Sequence, residues 1–160
     1  MNETSRDEKY MALAIEIALA GIEKGQSPFG ACIVKGDTVI SCEHNVVWDQ
    51  TDITAHAEIH AIQVACKELN SVTLDGCTIY STCEPCPMCF SAIHWARISK
   101  IVFGASIADA KEFGFNELEI ENTEMKKIGN SGVEIVSGVL REKNITVFQK
   151  WHSEENRKVY

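Results

Sequence analysis

Two short stretches decide the fold and chemistry expected of this chain: residues 54–58 read TAHAE, and residues 83–89 read CEPCPMC. The first contains His56, and the second contains Cys86 and Cys89, separated by two residues. One imidazole and two thiolates are the kind of ligands that zinc takes when its fourth tetrahedral position is left open for water. The sequence therefore predicts a catalytic zinc site with these three side chains as ligands.

Glu58 follows the histidine by two residues, where it could approach the zinc water without joining the ligand set. His-x-Glu followed by Pro-Cys-x-x-Cys is the signature of zinc deaminases that act on nucleobases. In this hypothesis, zinc activates the water that attacks the ring carbon bearing the amine. Glu58 passes protons to a ring nitrogen and to the departing ammonia, so it is the predicted catalytic acid and base.

A different class of protein remains open at this point. Cys83 could join the other three residues in a closed site of three cysteines and one histidine, as in noncatalytic structural zinc modules. Two observations argue against this alternative. Glu58 would have no chemical role in a structural site, and a chain of 160 residues is long enough to fold without a structural metal ion.

The composition favours one acidic domain over residues 1–160. The hydrophobic content is 45% and the formal net charge is −8, which disfavours a broad nucleic acid surface, because Lys and Arg supply most affinity for phosphates. Seven cysteines without a secretory signal indicate reduced thiols in the cytoplasm, and no membrane span is expected. The cysteines outside the motifs are expected to be buried small side chains: Cys32, Cys42, Cys66 and Cys77.

Hydrophobic periodicity and turn signals predict an alternation of strands and helices. The expected helices run from a capping box at Ser5 to a stop at Gly25, over 56–69, over 86–96, between 105 and 133, and over 145–160 with a tail. The expected strands are 29–35, 38–47, 77–82, 100–105 and 133–139. The first two form an antiparallel hairpin, and the later strand–helix–strand units make parallel pairs. The predicted zinc ligands lie at the starts of the second and third helices.

Further residues around the motifs resemble the purine branch of the cytidine deaminase-like superfamily. The matching positions are Pro28–Ala31, Asn45, Thr54–Glu58, Glu84–Cys89 and Ala96–Arg97. Local features resemble guanine deaminases and plant guanosine deaminases more than bacterial tRNA adenosine deaminases. They are Phe29 in place of a valine, IHWAR at 93–97, Gly114–Phe115 after Asp109, and Phe148 and Trp151 before a final Tyr160. The tRNA enzymes typically carry an arginine-rich last helix, whereas residues 149–155 here read QKWHSEE.

This resemblance implies an α/β fold, a three-layer α/β/α sandwich with a five-stranded mixed sheet, and one zinc ion per subunit. It implies hydrolytic deamination of guanine to xanthine and ammonia. Guanosine, another aminopurine or an aminotriazine is the first alternative substrate, and tRNA adenosine is the second. The expected partners are a small purine and a second copy of the chain in a homodimer, with nucleic acid unfavoured.

The resemblance also assigns roles to individual residues. Asn45 hydrogen-bonds the purine edge, Phe29 and Trp95 wall the pocket, and Ala57 also belongs to the substrate site. Glu117 occupies a second catalytic carboxylate position, although this chain has GFNE at 114–117 where guanine deaminases usually show Gly-Phe-Asp-Asp. The C-terminal segment can close over a partner's site, which would place Tyr160 near the substrate.

Overall fold

The sheet is built from short runs of apolar and β-branched residues. The computed structural model describes residues 3–160, so Met1 and Asn2 of the predicted domain lie outside the described residues. The strands are β1 Gly30–Lys35, β2 Thr38–His44, β3 Cys77–Cys83, β4 Lys100–Ala105 and β5 Glu134–Val136. The helices are α1 Glu3–Glu23, α2 Val47–Gln50, α3 Ala57–Glu68, α4 Pro87–Trp95, α5 Ile107–Glu112, α6 Asn122–Ile128 and α7 Arg141–His152.

The strand order is β2-β1-β3-β4-β5. β1 pairs antiparallel with β2 and β3, whereas β4 pairs parallel with β3 and β5. The central β3 is buried along its whole length, as expected for a strand covered on both faces. These pairings confirm the predicted five-stranded mixed sheet.

Helices cover both faces of the sheet, because successive side chains of a strand point to opposite sides. On one face Ile79 of β3 belongs to a core cluster with Ala61 of α3 and Ile93 of α4. On the other face the next residue, Tyr80, packs in a cluster with Met11 of α1. The predicted three-layer α/β/α sandwich is confirmed. Within residues 3–160, no helix combines the length and the apolar character that crossing a bilayer requires.

The first helix and the second strand differ from their predicted bounds. α1 already includes Glu3, so Ser5 lies inside the helix and the capping box predicted there is wrong. β2 stops at His44 because the side chain of Asn45 turns the chain: its Oδ1 accepts a hydrogen bond from the Val47 amide at 3.1 Å. The residues that follow form the short α2 instead of extending the strand.

The region between β4 and β5 contains two short helices rather than the one predicted. α5 ends at Glu112, and Gly114 follows with a φ of 100°, a backbone conformation that glycine adopts without steric cost. We call residues 113–121, which connect α5 to α6, the 113–121 loop. The last helix, α7, begins four residues before the predicted Ile145 and ends at His152, so the segment to Tyr160 is a nonhelical tail.

Two cysteines of the first hairpin correct the sequence prediction. Cys32 and Cys42 lie directly opposite each other, with Cα atoms 4.0 Å apart, and form a disulfide, so the expectation that both are reduced is wrong. A β-bulge produces this register. Val34 pairs with Val39, but β2 then contributes one extra residue, and Cys32 faces Cys42 rather than Ser41.

Candidate metal centre and catalytic site

The predicted metal ligands stand at two helix starts. His56 is the N-cap of α3, and Cys86 is the N-cap of α4, both with extended backbone. Neither side chain accepts a hydrogen bond from the first amides of its helix, although N-cap side chains commonly do so. Both side chains instead point toward each other between the two helices, because Sγ of Cys86 lies 3.7 Å from Nδ1 of His56.

Cys89, one turn into α4, completes the group. Its Sγ lies 3.6 Å from Nδ1 of His56, and the three ligand atoms all lie within 4.8 Å of one another. A tetrahedral zinc ion with bonds of about 2.3 Å to sulfur and about 2.0 Å to nitrogen separates the two kinds of ligand atom by about 3.6 Å. The geometry and the donor set therefore fit zinc.

The close approach of the two thiols lowers the pKa of Cys86 to about 4, against the opposing effect of burial and with help from His56, and it raises the pKa of Cys89 well above its usual value. Thiolate is the form of cysteine that binds metals. Cys86 is therefore already in its ligand form at neutral pH, and Cys89 loses its proton when it binds the metal.

Cys83 does not join this group. Its Sγ donates a hydrogen bond to the carbonyl oxygen of Ser106 at 3.4 Å, and burial raises the pKa of its thiol well above the usual value. Among residues 3–160, the histidine, cysteine and carboxylate side chains close enough to share an ion are those of His56, Cys86 and Cys89. This arrangement favours three ligands with an open fourth position over the closed four-ligand alternative.

Glu58 lies in the first turn of α3, beside the ligands. The carboxyl is buried, with 6% of the residue exposed. Its Oε1 accepts a hydrogen bond from Oγ of Ser81 at 2.9 Å, and its Oε2 accepts one from Sγ of Cys89 at 3.5 Å. Burial raises the pKa of Glu58, which brings it closer to the range in which a carboxyl both takes up and releases protons.

Two adjoining cavities open at this point. The inner cavity is small and is lined by Phe29, Glu58, Cys83, Glu84 and Glu117 together with the residues that it shares with the outer one. The outer cavity has a volume of about 250 Å³, and its apolar wall includes Ile53, Met88, Phe115 and Leu118. His56, Cys86, Glu117 and Tyr160 line both. The outer cavity therefore leads over the ligands toward the inner one, which Glu58 lines.

Glu117 and Phe29 are brought to the cavities from different parts of the chain. Glu117 comes from the 113–121 loop, where burial raises its pKa to about 7 and negative charge on Cys86 adds to the shift. Phe29 precedes β1, and its ring meets that of Phe115 edge-on at a centroid distance of 4.9 Å. The structure thus places a second carboxyl and an aromatic wall near Glu58.

Asn45 and Tyr160 meet at the site although 115 positions separate them. Nδ2 of Asn45, a fully buried residue, donates a hydrogen bond to Oη of Tyr160 at 2.8 Å. The Tyr160 ring lies 5.5 Å from the His56 ring, and its carbonyl oxygen accepts a hydrogen bond from the Asn116 amide at 3.2 Å. In this single chain the tail lies over the chain's own site, and its exchange with a partner stays a prediction.

Two residues assigned to the substrate site lie elsewhere. Trp95 is 81% exposed and borders a surface hollow with Val72 rather than either cavity, so its place as a pocket wall stays a prediction. It ends α4, about 13 Å along the helix from Cys86. Ala57 is fully buried in the core beneath α3, and it is not among the residues that line the two cavities.

Several site residues were not predicted from the sequence. Ser81 lies two residues before Cys83 on β3, so both side chains point to the same side of the sheet, which a period of two could have indicated. Met88 stands between the two cysteine ligands and faces the outer cavity. Ile53 and Leu118 come from irregular segments, where no periodic pattern identifies a cavity wall.

Comparisons with known proteins agree with this geometry. Residues 4–105 match the zinc-binding region of cytidine and deoxycytidylate deaminases. The chain is 38% identical to the guanine deaminase of Bacillus subtilis (strain 168) over 154 residues, covering 96% of this chain and 98% of that protein. It is 41% identical to the tRNA-specific adenosine deaminase of the same organism over 138 residues, covering 86% and 83%. A solved structure of guanine deaminase from Nitrosomonas europaea is similar, with a TM-score of 0.85, 27% identity, and coverage of 92% of this chain and 85% of that one.

Metal content distinguishes an open site from a closed one. We expect Cys89→Ser to lower zinc affinity by at least about tenfold, because it removes one of three ligands. Cys83→Ser, the matched control, should keep one zinc per chain, because this thiol bonds to a carbonyl oxygen. Zinc is measured by elemental analysis after dialysis against graded chelator. Equal loss of zinc from both variants would support the four-ligand site instead.

Proposed function

This chain belongs to the zinc-binding cytidine and deoxycytidylate deaminase family, and from that premise we propose that it hydrolyses guanine to xanthine and ammonia. The observation that carries the proposal is the position of Glu58, buried beside three zinc-type ligands at the end of a small cavity. A carboxyl in this position can serve a reaction that moves protons next to a metal. The similarity to guanine deaminases over nearly the whole chain favours guanine among the possible substrates.

The residues divide the chemistry among them. His56, Cys86 and Cys89 would hold a zinc ion, which would supply a Lewis acid that activates the attacking water. Glu58 would take one proton from the attacking water and deliver it to a ring nitrogen, and would then move the remaining hydroxyl proton to the leaving amine, which departs as ammonia. The hydrogen bond from Ser81 holds the carboxyl in place during these transfers, and the raised pKa of Glu58 favours its return to the protonated form.

Asn45 is suited to recognise the edge of a purine. The bond from the Val47 amide to its Oδ1 fixes the orientation of the side-chain amide, so the NH₂ group faces Tyr160. An amide NH₂ group has two hydrogens, and one of them is donated to Oη of Tyr160. Asn45 is fully buried and lines neither cavity, so its other hydrogen would meet an acceptor nitrogen of the base only once Tyr160 moves aside, while Phe29 provides an aromatic wall for the plane of the base.

Adenosine in tRNA is a second candidate substrate, because the similarity to a tRNA-specific adenosine deaminase extends over most of this chain. Two features favour the small base. The net charge of −8 is poorly suited to a polynucleotide, and Tyr160 lines both cavities, where its ring limits the space for a substrate that extends beyond the base. Guanosine lies between these two candidates in size, and the other aminated heterocycles are about the size of guanine or smaller.

A side-by-side assay of ammonia release identifies the substrate. The zinc-loaded protein is given guanine, guanosine, adenine, cytidine and an anticodon stem-loop that contains adenosine. We expect turnover of guanine at least about a hundredfold above the other four, because a pocket that pairs its buried polar groups with one base rejects others strongly. Preferred turnover of guanosine or the stem-loop would move the assignment to that substrate. If none of the five compounds released ammonia, the result would count against the proposal.

The control for this assay is Glu58→Gln, which keeps the side-chain volume and removes the exchangeable proton. We expect zinc content to stay at the wild-type value while turnover of guanine falls by at least about a thousandfold, because both proton transfers lose their carrier. An active Glu58→Gln protein with full zinc would show that Glu58 is not the acid and base.

The tail provides a prediction of its own. Tyr160→Phe keeps the ring over the site but removes the hydroxyl that accepts from Asn45. We expect the KM for guanine to rise by about fivefold with little change in kcat, because one hydrogen bond that orients Asn45 is lost. Val159→Ala, an exposed neighbour, serves as the control and should leave both constants unchanged. Wild-type constants for Tyr160→Phe would remove the tail from the substrate site.

We also propose that the chain forms a homodimer through the surface that carries Trp95 and Val72, which are 81% and 83% exposed. Adjacent apolar side chains with this exposure indicate an interface, and twofold dimers are the commonest assemblies. Trp95→Ser should therefore yield monomers at micromolar concentration in sedimentation equilibrium, whereas Val39→Ser on the edge strand β2 should stay dimeric. A wild-type protein that sediments as a monomer would overturn the proposal.

A further inference from the structure

Glu84 is a buried carboxyl within the CEPC turn, with 7% of the residue exposed. Its Oε1 accepts a hydrogen bond from the backbone amide of Asn122 at 2.8 Å. Its Oε2 accepts one from the backbone amide of Ile107 at 3.3 Å. A single side chain thus binds two amides that are distant from it in sequence, and the catalytic roles proposed above do not use it.

The two amides stand at the ends of one segment. Ile107 begins α5 and Asn122 begins α6, and the 113–121 loop lies between these helices. That loop supplies Phe115, Glu117 and Leu118 to the cavities. Glu84 therefore holds both ends of the segment that forms one wall of the substrate space.

A second hydrogen bond joins α6 to the same turn. The side chain of Asn122 is fully buried, and its Nδ2 donates a hydrogen bond to the carbonyl oxygen of Pro85 at 2.6 Å. Cys86, a predicted zinc ligand, is the next residue along the chain. The start of α6 is thus bonded at two points to Glu84 and Pro85, the two residues that precede the predicted metal ligand Cys86.

From these contacts we infer that Glu84 is a positioning residue, which fixes the 113–121 loop, and Glu117 with it, relative to Cys86. The inference rests on the proposed function, because it gives Glu117 a place in the same reaction. Glu84 acts through backbone amides and not on the substrate. Across the loop, the Asn116 amide donates to the carbonyl oxygen of Tyr160, so the tail holds the solvent side and Glu84 holds the buried side.

The test variant is Glu84→Gln, which has the same size but replaces one acceptor oxygen with an NH₂ donor that faces a backbone N–H. One of the two amides then loses its partner. We expect zinc content to remain at wild type, kcat for guanine to fall by about tenfold, and hydrogen exchange to speed up by about tenfold in peptides covering 113–121. Glu121→Gln is the matched control, because its exposed carboxyl lies at the end of the same loop.

A double-mutant cycle with Glu117→Gln separates positioning from a general structural role. If Glu84 acts through Glu117, adding Glu84→Gln to Glu117→Gln should lower kcat by less than about twofold further. Equal losses in both backgrounds would overturn the inference. So would faster exchange spread evenly over all peptides, loss of zinc from Glu84→Gln, or wild-type kcat and exchange in that variant.

Asn122→Ala provides a second variant if Glu84→Gln does not fold. It removes the bond to Pro85 and keeps the backbone amide that binds Glu84, so a smaller rise of exchange confined to 113–121 is expected. The exchange measurement needs no substrate. Suppose that hydrogen exchange rises only over 113–121 in the variant, while the wild-type protein releases no ammonia from guanine. The proposed function would then be refuted, but the role of Glu84 in fixing the 113–121 loop would be supported.

Discussion

The concentration of acidic groups around Glu58 is the constraint on which the rest of the site depends. Its carboxyl joins α3 to β3 through Ser81 and approaches α4 through Cys89, so three elements meet at one buried side chain. None of the described residues that line the inner cavity is a lysine or an arginine. Burying two thiolates and carboxyls without a cation would be costly, and a divalent metal held by His56 and the two sulfurs supplies the missing positive charge.

The remaining parts of the cavity are brought to this centre by long-range contacts. The 113–121 loop carries Glu117 and is anchored beneath by Glu84, while the tail reaches the opposite side through Tyr160 and Asn45. None of these segments is a regular element over the stretch that contacts the cavity. The sheet and its helices thus position the metal ligands, and the irregular segments determine which molecule fits beside them.

Local sequence predicted what depends on local geometry. The short motifs predicted helix starts at His56 and Glu58 and at Cys86 and Cys89, because these spacings are local. The structure has both helix starts and brings the four residues together. The bounds of β4, 100–105, were also predicted correctly. The disulfide was missed because a bulge of one residue brings Cys42 rather than Ser41 opposite Cys32.

The exposed position of Trp95 could not be predicted from the sequence, for a different reason. A resemblance between motifs transfers residue types, but it does not say which side of a helix a side chain occupies. The contacts of Glu84 were equally hidden, because its partners are backbone amides whose position depends on the whole chain.

The starts of α3 and α4 lack the side-chain caps that such helix ends usually have, because His56 and Cys86 are directed toward each other, where a zinc ion would bind. Each missing cap costs a helix about 1 kcal/mol. A metal that draws both residues together compensates for this loss at two helix ends with one set of bonds. Removing it should therefore fray the first turns of both helices, including the turn that carries Glu58, while the sheet stays folded. The position of the Glu58 carboxyl and the order of these two helix ends consequently depend on the same metal site.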